Sequence, residues 1–172
     1  MMTTVITVEE AVRLILDQLS PLPGEQVPLL QANGRVLFED VRSGRCVPSF
    51  ANSAMDGFAV RWQDVSRVSS ASPANLKILE EIPAGYVAKR RVREGTAMKI
   101  MTGAPLPRGA DTIVRVEYTN SDGDEVRINK TNGRAAHVRQ AGEDIQKGQM
   151  ILEKGKRLTP ADIGLMASVG KS

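Results

Sequence analysis

Residues 52–60, Asn52-Ser53-Ala54-Met55-Asp56-Gly57-Phe58-Ala59-Val60, lead from a polar loop into an apolar stretch able to form a strand. Their one carboxylate, Asp56, is followed at once by Gly57, which allows positive φ or a close approach to a neighbouring backbone at little steric cost. The stretch therefore predicts a strand that begins at the rim of a sheet and aims Asp56 outward. An alternative stays open, in which the Asn and Asp side chains only cap the backbone of a surface loop.

The composition is that of an ordinary globular protein with one domain or two small lobes. The 172 residues are 41% hydrophobic and 25% charged, so the chain is long enough to bury a core and is not of the disordered class. Aromatic residues make up only 3%, which argues against the stacking platforms of single-stranded nucleic-acid binders. We expect no nucleic acid among the partners.

The single cysteine and the single histidine narrow the chemistry. Cys46 alone allows neither an internal disulfide nor a zinc site built from cysteines, and it predicts a cytoplasmic protein. His137 is the one histidine, which rules out His-based metal clusters, and its neighbours predict a strand residue. No stretch approaches 18 consecutive apolar residues and the N-terminus has no signal-peptide core, so we expect neither export nor a membrane partner.

The net charge of +3 is a mild basic excess, and its densest run is Lys89-Arg90-Arg91-Val92-Arg93. Such a run can contact phosphate, but a solvated edge strand guarded by charge is the favoured interpretation.

Helices are predicted at both ends of the chain. Thr7 and Glu10 have the spacing of a capping box, and apolar residues then recur at helical intervals up to Leu19 before Ser20-Pro21 ends the helix. Near the other end, a helix is predicted from a set of end signals. These are the cap Thr159, Pro160 at the first helical position, Asp162 in the first turn and Gly170 after the last turn.

The middle of the chain is predicted to form a β lobe. Asp122-Gly123 between two apolar runs is a strong hairpin signal, and 26–41 is expected to form a short strand, a turn at Asn33-Gly34 and an extended or helical piece. The candidate strands after Gly57 are 58–61, 76–82, 97–101, 112–117, 125–128 and 136–139.

Two further polar clusters follow the first. In residues 100–112 a strand runs into Thr102-Gly103 and two prolines stiffen the loop; such a loop suits an oxyanion, since nests of backbone N–H bind phosphate-like groups. In residues 139–145 Arg139 lies beside Glu143 and Asp144, which suits a hard cation held by carboxylates or an oxyanion clamped by the guanidinium. A rigid Pro/Gly turn and a salt-bridged surface turn are the alternatives.

In this order and spacing, the three clusters resemble the N-terminal region of the molybdopterin molybdenumtransferases, the family of bacterial MoeA and the C-terminal region of gephyrin. The resemblance covers essentially the whole chain, including NSAMDGFAV, TGAPLPRGADTIV, AGEDIQKG and LTPADIGLMASVG. The chain departs from the family in stopping at Ser172, where the family continues into a Rossmann-like molybdopterin-binding domain and a further small β domain.

The resemblance implies a mixed α+β, β-rich fold. An elongated lobe would be formed by the terminal segments 1–51 and 140–172, with 52–139 inserted as a β-rich lobe. It also implies a homodimer. We expect the two terminal helices to help form its surface, because the predicted apolar stripe of the first helix is broad.

The resemblance further implies an enzyme that inserts molybdenum from molybdate into adenylylated molybdopterin with the help of Mg²⁺. The family's site lies between the C-terminal domains of one subunit and the β lobe of its partner, so this chain alone is expected to be inactive. The implied catalytic residues are Asp56, Thr102 and Asp144, the substrate-binding residues are Ser53, Gly103 and Arg139, and the metal ligands are Asp56 and Asp144, with Asp144 alternatively orienting Arg139. Two other functions stay open: a dimerising scaffold without catalysis and, less favoured, a general oxyanion-binding protein.

Overall fold

Ten strands and three α-helices make up residues 5–172, the part of the chain that the computed structural model describes. The strands are β1 Val41–Arg42, β2 Asn52–Ser53, β3 Gly57–Val60, β4 Ala74–Ile82, β5 Thr96–Ile100, β6 Thr112–Arg115, β7 Thr119–Asp122, β8 Glu125–Ile128, β9 Val138–Arg139 and β10 Met150–Leu152. The α-helices are α1 Val8–Leu16, α2 Trp62–Val65 and α3 Pro160–Ser168, and 3₁₀ turns cover Leu29–Gln31 and Val116–Tyr118.

A six-stranded sheet in the order β6-β3-β5-β4-β8-β7 forms the centre of the fold. Its strand pairs are antiparallel except for β4 and β5, which run parallel. Every residue of β3 is buried, and successive side chains point to opposite faces of a strand. Phe58 and Val60 accordingly pack in one apolar cluster and Ala59 in a second one, so the sheet has a core on both faces.

Gly57 is required by a close backbone approach and not by its φ angle. A Cβ atom built on Gly57 would lie 2.0 Å from the carbonyl oxygen of Val114 in the neighbouring strand β6. No side chain fits in that space. The glycine therefore lets β3 and β6 come together at the point where Asp56 leaves the sheet.

Segments from the two ends of the chain form a third apolar cluster. Strand β1 pairs antiparallel with β10, and Val36 bridges to Arg157. The buried residues here are Ala32, Val41, Leu152, Leu158 and Met166. The strand predicted near Gln26 is wrong, because the backbone forms a 3₁₀ turn at Leu29–Gln31 instead.

The end signals of both terminal helices are confirmed. Thr7 and Glu10 bond reciprocally as a capping box, and Thr159 and Asp162 do the same at α3. Gly170 follows α3 with φ +84°. Helix α1 ends at Leu16 rather than Leu19, and none of its residues is buried. Within residues 5–172 no helix is long and apolar enough to cross a bilayer.

Several strand predictions need correction. The strand predicted over 136–139 shrinks to Val138–Arg139, because Ala135 and His137 both adopt φ of 57°. His137 is therefore not a strand residue, and its carbonyl accepts a hydrogen bond from the N–H of Ala54 at 2.9 Å. The strand predicted over 112–117 ends at Arg115. The hairpin at Asp122-Gly123 is confirmed by β7 and β8.

Candidate functional site

The three polar clusters meet at the short strand β2. On one side β2 pairs with β9, with Asn52 opposite Arg139 and Ser53 opposite Val138. On the other side the N–H of Gly103 donates to the carbonyl of Ser53 at 2.8 Å, and the N–H of Ser53 donates to that of Ala104 at 3.0 Å. The backbone thus brings Ser53, Gly103 and Arg139 to one edge of the fold.

Asp56 is held by Thr102. One carboxylate oxygen, Oδ1, accepts hydrogen bonds from both the backbone N–H and the hydroxyl of Thr102, each at 2.7 Å. These two bonds lower the pKa of Asp56 below its ordinary value, the side-chain bond having the larger effect. The residue is exposed, and its second oxygen accepts no hydrogen bond from any described residue. The result is an ionised carboxylate with one oxygen fixed and one open.

Arg139 forms a clamp with the acidic turn that follows it. Its Nη2 lies 2.6 and 2.7 Å from the two carboxylate oxygens of Asp144, and its Nε lies 3.5 Å from the Glu143 carboxylate. Glu143 also accepts the N–H of Gln140 at 2.9 Å, which closes the turn. The Arg139 side chain is 37% exposed, and its Nη1 forms no hydrogen bond or ion pair with any residue of the described range 5–172, so this nitrogen is left for a ligand.

The Ser53 hydroxyl, which was expected to bind substrate, faces its own loop instead, and Gly103 offers only its backbone. Ser53 is 1% exposed, and its hydroxyl donates to the carbonyl of Met55. An oxyanion would be reached only after this hydroxyl rotates. Gly103 is exposed with φ +80°, and a Cβ there would meet open space. It therefore offers a bare backbone surface beside Thr102.

Arg115 and Glu117 belong to the same edge, and the sequence analysis did not single them out. The N–H of Val116 donates to the carbonyl of Asp56 at 3.1 Å, which places the 3₁₀ turn at Val116–Tyr118 beside the polar cluster 52–60. Glu117 accepts two hydrogen bonds from Arg115, at 3.1 and 3.2 Å. The pKa of Glu117 is lowered overall, with the Arg115 hydrogen bonds as the largest cause, although burial and the negative charge of nearby Asp56 act in the opposite direction. Arg115 and Glu117 are two positions apart in the predicted strand 112–117, so the sequence already placed them on one face of that strand.

Comparison with known families decides what this arrangement belongs to. The family described as the MoeA N-terminal region, domains I and II, matches residues 6–170. The chain belongs to this family. The resemblance read from the three clusters is therefore confirmed.

The curated relatives that this MoeA N-terminal region matches are longer than the present chain. Molybdopterin molybdenumtransferase 2 of Mycobacterium tuberculosis is 41% identical over 164 residues, which are 95% of this chain and 40% of that protein. The molybdopterin molybdenumtransferase of Bacillus subtilis is 34% identical over 171 residues, 97% of this chain and 40% of its own length. This chain thus spans about two fifths of the curated relatives it matches.

A solved structure confirms the fold class. The crystal structure of the molybdopterin biosynthesis MoeA protein from Pyrococcus horikoshii OT3 superposes with a TM-score of 0.91 at 34% sequence identity. The match covers 97% of this chain and 44% of that one. The β-rich mixed α+β architecture predicted from sequence is the architecture of the MoeA N-terminal region.

Only part of the predicted metal set is free in this MoeA N-terminal region. Both carboxylate oxygens of Asp144 are bonded to Arg139, as in the alternative in which Asp144 orients that guanidinium. Asp56 keeps one open oxygen, and no group of three or more His, Cys, Asp or Glu residues gathers around a metal position within residues 5–172. Since Mg²⁺ is usually held by one or two carboxylates with water and substrate phosphates, Asp56 fits as a single ligand.

Proposed function

We propose that this chain is the N-terminal portion of an enzyme that transfers molybdenum from molybdate to adenylylated molybdopterin, forming molybdenum cofactor. The observation that carries the proposal is the meeting of three polar clusters at β2, with an ionised, exposed Asp56 held by Thr102. Membership in the MoeA N-terminal region supports it, as do the names of the curated relatives.

In this proposal the chain supplies one wall of the reaction site and the remainder of the family's length supplies the pterin-binding wall. Asp56 positions molybdate or a metal ion, with its rotamer fixed by Thr102. Arg139 binds an oxyanion of the substrate, and Asp144 orients the guanidinium for it. Gly103 leaves room for the substrate to approach the backbone, and Ser53 donates to the oxyanion after rotating its hydroxyl.

We further propose that Mg²⁺ acts with Asp56. When bound, the ion offsets the charge of anionic substrate groups that this carboxylate would otherwise repel. The open oxygen of Asp56 would be its protein ligand, with the remaining positions taken by phosphate oxygens and water. Asp144 would join as a second ligand only if Arg139 released it.

The test uses a polypeptide that carries this region together with the part of the family's length outside the present chain. Asp56→Asn should abolish molybdenum insertion while leaving the melting temperature close to wild type, because the residue is exposed. Asp124→Asn is the matched control, since it makes the same change in the exposed hairpin turn between β7 and β8. Full turnover by Asp56→Asn would overturn the proposed role.

A second experiment tests the sharing of the site between domains. The 172-residue chain, incubated with adenylylated molybdopterin, molybdate and Mg²⁺, is expected to release no cofactor. Turnover comparable to that of a full-length relative would contradict the proposal that the site is shared.

Helix α1 packs against little of the described range 5–172, and this favours a dimerising scaffold as the second candidate function. Its apolar side chains are 48–75% exposed at Val8, Val12, Leu14, Ile15 and Leu16, and none of its residues is buried. We propose that this helix contributes to a homodimer and that residues 1–51 and 140–172 form one lobe with 52–139 as an inserted β lobe. The separate apolar cluster of the terminal segments supports that division.

A further inference from the structure

A basic cavity lies at the end of β3 opposite to Asp56. Asp56 directly precedes the strand and Arg61 directly follows it, so the two residues are about 16 Å apart at the usual rise of a strand. The cavity has a volume of about 370 Å³. Its walls are Arg61, Gln63, Arg91, Val92, Arg93 and Gly109. None of the residues assigned to the proposed reaction site lines it.

We propose that this cavity is a second anion site, which binds a ligand bearing phosphate or carboxylate groups through Arg91 and Arg93. Both side chains line the cavity and are exposed, while Val92 between them is 1% exposed. Neither guanidinium forms a hydrogen bond or an ion pair with any residue in the described range 5–172. Two free guanidinium groups facing one space suit an oxyanion, because each can donate two parallel hydrogen bonds.

The backbone holds this arginine pair in place. The N–H of Val92 donates to the carbonyl of Arg108 at 2.9 Å, and that of Arg93 donates to the Thr96 hydroxyl at 2.8 Å. A Cβ on Gly109 would lie 2.2 Å from the Val92 carbonyl oxygen and 3.0 Å from Cγ of Arg91. The absence of a side chain at Gly109 therefore lets the stem of Arg91 lie against the turn.

Arg61 has a different role in the cavity, because two carboxylates lie beside it. Its guanidinium lies 3.7 Å from the carboxylate of Asp64, whose side chain is 10% exposed, and 3.9 Å from that of Glu94, which is 87% exposed. Arg61 is thus already neutralised and forms a wall of the cavity. Glu94, being solvated, competes with an incoming anion and is displaced when it binds. Arg91 and Arg93 supply the surplus positive charge.

The structure also contradicts the favoured interpretation of the basic run 89–93 as an edge strand guarded by charge. An edge strand guarded by charge requires extended pairing, but residues 89–93 form no strand in the structure. The run is a loop that passes between two turns and faces a cavity. The site does not depend on the molybdenum-transfer proposal, because it shares no residue with it.

The test is calorimetric titration of the 172-residue chain with pyrophosphate and, in a separate arm, with citrate. Saturable binding of pyrophosphate alone assigns phosphate as the recognised group, and binding of citrate alone assigns carboxylate. Arg91→Gln and Arg93→Gln should each weaken the binding about tenfold, as expected for one charge-assisted contact. Arg127→Gln removes an exposed arginine of β8 and should leave the affinity unchanged.

Weaker binding in the arginine variants could also come from misfolding, so a variant that should bind more tightly is tested as well. Glu94→Gln should strengthen binding, because it removes the competing carboxylate. The proposal is overturned if neither anion binds saturably at millimolar concentration, if Arg127→Gln weakens binding as much as Arg91→Gln, or if Glu94→Gln has no effect. Loss of binding in Arg139→Gln would also overturn it, since the anion would then occupy the other site.

Discussion

Thr102 and Asp56 are joined by two hydrogen bonds that end on the same carboxylate oxygen, one from the backbone and one from the hydroxyl. The residues lie 46 positions apart in sequence. Because both donors come from one residue, the carboxylate is fixed in one orientation relative to the loop, and its other oxygen faces away from Thr102.

Replacing Thr102 by Val should raise the pKa of Asp56 toward the value of a free aspartate. The side-chain bond is the larger of the two effects that lower this pKa, and Val removes it while keeping the backbone bond. Carboxyl-carbon NMR titration of the chain measures the change directly. Thr102→Ser keeps a hydroxyl and should leave the pKa low; a rise as large as that of Thr102→Val would contradict the assignment.

Replacing Gly57 by Ala should destabilise the chain by about 3 kcal/mol, the upper end of the usual cost of overpacking. The new Cβ would meet the Val114 carbonyl oxygen at 2.0 Å, and two backbones cannot separate as a flexible side chain can. Urea unfolding measures the difference in free energy. An unchanged stability would show that β3 and β6 can move apart without cost.

Gly164→Ala is the matched substitution with the opposite expected sign. Gly164 is exposed within α3, and a Cβ there meets nothing within 4 Å. Alanine should stabilise the chain by about 1 kcal/mol, because glycine loses more backbone freedom in a helix. The same urea titration checks it. A loss of stability would mean that this face of α3 is in contact with another surface.

Asp162 should make the stability of the chain fall in acid. Lys156 at 2.7 Å and the Thr159 cap lower its pKa from 3.8 to about 2. A lowered folded-state pKa contributes stability above the unfolded pKa, and that contribution is lost as the pH falls from about 4 toward 2. Unfolding free energies of wild type and Asp162→Asn should therefore differ most near neutrality and converge at low pH. A difference independent of pH would exclude this origin.

Ile15→Glu should reduce self-association if α1 forms a homodimer surface. Ile15 is 62% exposed, so the new charge costs little in a free chain but is unfavourable in an apolar interface. Sedimentation velocity at micromolar concentration should show twice the chain mass for wild type and the single mass for the variant. Gln18→Glu, placed just beyond the helix, is the control. A monomeric wild type would contradict dimerisation by this chain.

Features set by neighbouring residues were predictable from the sequence. The caps of α1 and α3 and the Asp122-Gly123 hairpin depend on contacts within a few positions, and the structure has all of them. The inward and outward alternation of β3 was not apparent, because a strand buried on both faces reads as a continuous apolar run.

Contacts between distant segments were not predictable in detail. The backbone pairing that sets Arg139 beside Asn52 depends on how the whole sheet folds between them. The inward rotation of the Ser53 hydroxyl and the 3₁₀ turn that carries Glu117 follow from local geometry that residue types alone leave open. The motif order identified the family, whereas the orientation of each side chain required the structure.

The pairing of Asn52 with Arg139 means that a segment of the chain leaves and returns at adjacent points. Opposed residues of an antiparallel pair are only about 5 Å apart at Cα. In the proposed division, residues 52–139 would be an inserted lobe whose two ends are already held together by the Asn52–Arg139 and Ser53–Val138 pairs. Replacing that lobe by a tight turn would then leave unchanged the distance that the flanking segments must span, and the β1–β10 pair would stay intact.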